Sequence, residues 1–119
     1  MKKTPKQKLK EECVSIASEK KLEKHPRCAL CNKPAQVCHH FIHQGRSNYL
    51  RCDEKNLIPL CVKHHYLLHN GYEQIYALHF RAIYGDKWAE GLVEDSRKQI
   101  KDTMTYWRKL KQHLTNNEI

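Results

Sequence analysis

Long apolar runs are missing from this sequence. No stretch approaches the roughly 20 apolar residues that a membrane-spanning helix needs, so no membrane partner is expected. Met1-Lys2-Lys3-Thr4 opens like the basic end of a secretory leader, but Pro5 to Glu12 is almost entirely charged or polar. An apolar leader core is therefore absent, and a cytoplasmic chain with reduced thiols is expected. Internal repeats and low-complexity segments are lacking too. Acidic residues are in short supply: 22 Lys and Arg face 13 Asp and Glu, leaving a formal charge of +9. The excess is concentrated in residues 1–33, which carry ten basic and four acidic groups. A basic arm ahead of a less charged body suits a polyanionic partner or a solvated, lysine-rich helix.

A chain of 119 residues suits a single domain, 1–119, with a modest core. Small domains of this kind recruit metals or disulfides, and six cysteines raise that question. Residues 6–24 lack glycine and proline. Leu9, Cys13, Ile16, Ala17 and Leu22 lie near helical spacing, which predicts a basic N-terminal helix within 1–26, ended by His25-Pro26. Residues 28–34 read as a tight knuckle and 36–42 as a short strand. Gly45 to Lys55 reads as a polar loop and 57–60 as a brief apolar stretch. His64 to His69 reads as a short helix closed by Asn70-Gly71. C-terminal helices follow in 72–119: one from Tyr72 to Tyr84, stopped at Gly85, and one capped by Asp86 and running to about His113. Trp88, Leu92, Ile100, Met104, Trp107, Leu110 and Leu114 mark the packing stripe of the second; Trp88 and Trp107 would serve a core or a dimer face, so the oligomeric state is open. The class is α+β, mainly helical.

Cys28 and Cys31 are two residues apart, and Cys61 and His64 repeat that spacing about thirty residues later. Two such pairs supply the four ligands of a tetrahedral structural zinc. Zinc-binding energies of roughly 10–16 kcal/mol in small fingers exceed typical domain stabilities, so such an ion would be part of folding. Cys13, Cys38 and Cys52 are left as small packing residues. Cys38 should face away from His39 on the strand.

Six of nine histidines lie between positions 39 and 69. His65 and His69, four apart, share one helical face and can bind one ion. His39 and His40 point to opposite faces of a strand, a geometry that can split their roles. The stretch Cys38-His-His-Phe-Ile, then Asn56-Leu-Ile-Pro-Leu-Cys-Val-Lys-His-His65, then His69 resembles the motif of the HNH (His-Asn-His) endonucleases. The flavour closest to it is the phage recombination-associated NinG type, on Cys28-x-x-Cys31, His40-Phe41, Leu50-Arg51-Cys52-Asp53, Asn56 and Tyr84-Gly85. His64 stands where that pattern usually has a cysteine.

The resemblance implies a small ββα-metal (His-Me finger) core over 28–70, with a structural zinc knuckle, flanked by the terminal helices. It implies metal-dependent hydrolysis of DNA to 5′-phosphate and 3′-hydroxyl ends, in recombination or processing in a bacterial or phage-infected cell. His40 would be the general base. Asn56 would hold the loop and orient His40. His39, His65 and His69 would hold a catalytic divalent ion (Mg2+, Mn2+, Ni2+ or Zn2+), whose role would be to stabilise charge on the phosphate and the departing oxygen. Arg46, Arg51 and Lys55, in the loop before Asn56, are phosphate-contact candidates. His25, His43, His79 and His113 receive no role. No recognition helix is evident, so low sequence specificity is expected, and the sequence leaves DNA versus RNA open. The competing class is a zinc-stapled nucleic-acid-binding module without catalysis.

Overall fold

The computed structural model describes residues 2–116. Helix α1 spans Pro5–Lys24. Thr4 starts it through a capping box: the Gln7 backbone N–H donates to Thr4 Oγ1 at 3.1 Å, and the Thr4 N–H donates to Gln7 Oε1 at 2.8 Å. Pro5 occupies the first turn, where its missing N–H costs nothing. The helix ends at His25-Pro26, as expected. Its inward stripe is narrow, with only Cys13 and Ala17 buried.

Strand β1 (Val37–His40) and strand β2 (Leu57–Leu60) pair antiparallel, with His39 opposite Ile58 and His40 opposite Leu57. The loop between them closes through a short 3-10 turn at Glu54–Asn56. Helix α2 (Val62–Leu67) follows β2 directly. A kinked segment, Leu68–Tyr72, then leads into α3 (Glu73–Tyr84). The kink sits at the Asn70-Gly71 pair expected to close the helix. Gly71 has φ 104° there, a conformation that costs L side chains strain.

The sheet, α2 and α3 share one core. Ile58, Leu60, Leu68 and Phe80 are at most 1 % exposed, and Cys28 and Cys61 join them. Trp88 covers its edge, 4.6 Å from the Phe41 ring, and donates its indole N–H to the Lys55 carbonyl at 3.0 Å.

The expected single helix from 86 to about 113 is instead two: α4 (Asp86–Asp95) and α5 (Met104–Asn116). Trp88 serves the sheet side, whereas Trp107 packs on α1. The Trp107 carbonyl receives the Cys13 thiol, and the Lys10 ammonium lies 5.3 Å from its ring centroid. The break between α4 and α5 carries no glycine or proline. It is held by Asp102, which accepts from the Trp107 indole at 2.8 Å and pairs with Lys6 and Lys10, and by Thr103, which accepts the Tyr106 N–H. Asp86 is the first residue of α4 rather than its cap; the preceding residue is Gly85, with φ 102°. No helix among the described residues is long and apolar enough to cross a membrane.

Trp107 is fully buried and joins α5 to α1 through Cys13 and Lys10. Trp107→Ala is expected to cost about 3–5 kcal/mol, read as a lowered urea midpoint. An unchanged midpoint would show that α5 does not contribute to the fold's stability.

Candidate metal centres

The knuckle at Cys28 is built from backbone bonds. The Cys28 N–H donates to Lys33 O at 2.7 Å and the Asn32 N–H to Cys28 O at 2.9 Å, with Asn32 at φ 63°. Cys61 lies across from it at the N-terminus of α2, where its sulfur receives the His64 N–H at 3.5 Å. The two-residue spacing is thus the first turn of a helix, which aims both side chains the same way. Cys31 Sγ is 3.8 Å from Cys61 Sγ, and His64 Nδ1 is 3.2 Å from Cys61 Sγ and 3.7 Å from Cys28 Sγ. A tetrahedron with metal–sulfur bonds of about 2.3 Å has sulfur–sulfur edges of about 3.8 Å. All four donor atoms lie within 4.8 Å of one another. This Cys3His group can hold a structural metal such as zinc.

Thiolate character is distributed unevenly. Burial pushes the Cys28 thiol up, but backbone N–H groups of Cys61, Leu30 and Cys31 outweigh it and leave it below the ordinary value. Cys61 is lowered in the same manner, with burial opposed by the backbone and ring of His64. The other cysteines are unlike these. Burial pushes Cys38 up to about 11 and Cys52 up to about 12. Cys38 faces α1, its thiol 3.7 Å from the Ser18 carbonyl, on the strand face away from His39 as expected.

The histidines gather on the opposite face of the sheet. His65 and His69 approach each other at 3.1 Å between Nε2 atoms. Two imidazoles on one ion at about 2.1 Å stand roughly 3.0–3.4 Å apart, so this pair has ligand spacing. His39 is buried edge-on to His69, the ring centroids 6.1 Å apart, and its centroid lies 6.1 Å from that of Phe80. Among the described residues, the Cys3His group is the one set of three or more donors within 4.8 Å; His39 is adjacent to the His65–His69 pair rather than closed upon it. Burial depresses His39 to about 4, with Glu73 opposing and His69, His43 and His40 adding to the depression. Burial, then His69, lowers His65 as well. Both rings keep the neutral form whose lone pair binds metals.

His40 lies 8 % exposed on the other strand face. Its Nε2 stands 2.8 Å from the Arg51 carbonyl. Burial lowers its pKa, and that carbonyl opposes the shift. Asn56 is fully buried and ties the loop. Its Oδ1 accepts the Ile42 N–H at 2.7 Å, and its Nδ2 donates to Ile42 O at 2.9 Å and Leu50 O at 3.3 Å. Asn56 is linked to His40 indirectly: it holds the Leu50 carbonyl, and the next carbonyl, Arg51, holds His40.

Of the three basic loop residues, Arg51 is spent internally. Its guanidinium donates to the Gln44 side chain and carbonyl and to Asn48 Oδ1. Arg46 and Lys55 are exposed. Arg46 lines a shallow cavity with Tyr49, Arg97 and Lys98. Two residues of the histidine face had no sequence role: His43 and Glu73, which meet at 2.5 Å, with His43 6.3 Å from His39 between ring centroids. The four-residue steps His65, His69, Glu73 were the available signal. No family model matches the chain, and no curated protein or solved structure matches it either.

Two outcomes follow. The purified chain should carry one zinc that resists mild chelation, and Cys61→Ser should lose it together with thermal stability; equal zinc content by mass spectrometry in both proteins would remove the site. His39 is depressed from 6.5 to about 4, so its contribution to stability is full above pH 6.5 and is lost as pH falls from there towards 4. Denaturation midpoints across that window should fall more steeply for the wild type than for His39→Gln, and parallel curves would refute the assignment.

Proposed function

We propose that this chain is a metal-dependent endonuclease of the HNH type, hydrolysing DNA phosphodiester bonds to 5′-phosphate and 3′-hydroxyl ends. The observation that carries the reading is His40: a buried imidazole with one nitrogen on the Arg51 carbonyl, next in chain to His39 of the histidine group, on a strand–loop–strand–helix frame.

With Nε2–H donating to the Arg51 carbonyl oxygen, Nδ1 of His40 carries the lone pair. A neutral imidazole so oriented can take the proton from an attacking water. Asn56 positions it by clamping the loop at Ile42 and Leu50. His39, His65 and His69 would hold a divalent cation, with His65 and His69 already at ligand spacing. When bound, that cation supplies charge stabilisation at the phosphate and the leaving 3′ oxygen. Arg46 and Lys55 are exposed cations of the same loop and suit phosphate contacts. Arg51 shapes the loop instead. The Cys3His zinc holds the frame, and the lysines of α1 add non-specific grip on the backbone. The ββα-metal core, the DNA partner and a role in phage or bacterial DNA processing belong to this reading.

The test is cleavage of supercoiled plasmid and single-stranded DNA across Mg2+, Mn2+, Ni2+ and Zn2+, run beside salt-dependent binding. His40→Ala is expected to lower the cleavage rate by about 10²–10⁴-fold while zinc content and binding persist. Wild-type protein that binds DNA but cuts neither substrate with any ion would instead be a zinc-stapled binding module.

A further inference from the structure

The cation site as read from three histidines is neutral, and neutral imidazoles suit Zn2+, Ni2+ or Co2+ better than oxygen-seeking ions. A carboxylate stands beside it. His65, His69 and Glu73 recur every four residues. The Asn70-Gly71 kink falls between the last two and makes Glu73 the first residue of α3. From the loop, His43 reaches across thirty residues of sequence to meet the Glu73 carboxylate at 2.5 Å. His43 lies edge-on to His39, and His39 lies edge-on to His69. Glu73 is thus one contact away from the histidine group, reaching His39 through the His43 ring.

We propose that Glu73 is a fourth protein donor of this cation site, and that its carboxylate turns the site's preference towards Mn2+ and Mg2+. The proposal rests on the endonuclease reading, because it takes His39, His65 and His69 as the other donors. A carboxylate adds a hard oxygen and a negative charge, the two features those ions select and imidazole lacks. His43 then serves as the group that holds the carboxylate towards the site when no ion does.

The experiment is titration of the full, zinc-loaded chain with Mn2+ and separately with further Zn2+, by calorimetry. It uses wild type, Glu73→Gln, His43→Ala and His65→Ala, each checked for unchanged circular dichroism. Glu73→Gln is expected to weaken Mn2+ binding by about tenfold or more and to change binding of the second Zn2+ much less. His43→Ala, which leaves the carboxylate in place, should retain most Mn2+ affinity. Wild-type Mn2+ affinity in Glu73→Gln, with a loss in His65→Ala, would overturn the role of Glu73 alone. Equal losses in Glu73→Gln and His43→Ala would also overturn it, since the pair rather than the donor would then matter. Mn2+ binding that survives His65→Ala unchanged would remove the cation site itself.

Discussion

Closure of four donor atoms between residues 28 and 64 is the constraint on which the rest depends. Cys28 and Cys31 stand on a knuckle before β1, and Cys61 and His64 on the first turn of α2. Joining them fixes where β2 ends and in which direction α2 leaves it. That direction presents His65 and His69 on the histidine face of the sheet, where His39 emerges from β1. Among the described residues the sheet has only two strands, and an isolated two-stranded unit of that kind is marginal in water. A metal held by this set supplies what a small core does not.

The second constraint is Asn56. A buried side-chain amide is costly unless every polar atom finds a partner, and here each does. Its three bonds reach only backbone groups, so the loop conformation is held independently of the side chains it displays. His40 inherits its orientation from that loop through one carbonyl. Burial does the remaining work: the same desolvation that depresses His39 and His40 keeps thiols such as Cys52 protonated. One physical effect therefore leaves imidazoles with free lone pairs and spare cysteines inert.

Much was legible in the residues. The zinc spacing, the ends of α1 and α3, the strand positions and the sharing of one helical face by His65 and His69 follow from local rules. Other features depend on partners distant in sequence. The break between α4 and α5 arises because Trp88 and Trp107 pack on different bodies, the sheet and α1, which one straight helix does not join. Arg51 reads as a free cation until its loop folds back to Gln44 and Asn48. His43 reads as a surface residue until α3 brings Glu73 to it.

The sequence by itself determined the chemistry available: which donors exist, at what intervals, and on which local element, because helix and strand periods set side-chain direction within a few residues. Tertiary structure alone decided which of those donors meet. Cys31 finds Cys61, His39 finds His69 and His43 finds Glu73 across thirty residues each. Such meetings depend on the angle between elements, and that angle is set by core packing, which no local pattern encodes.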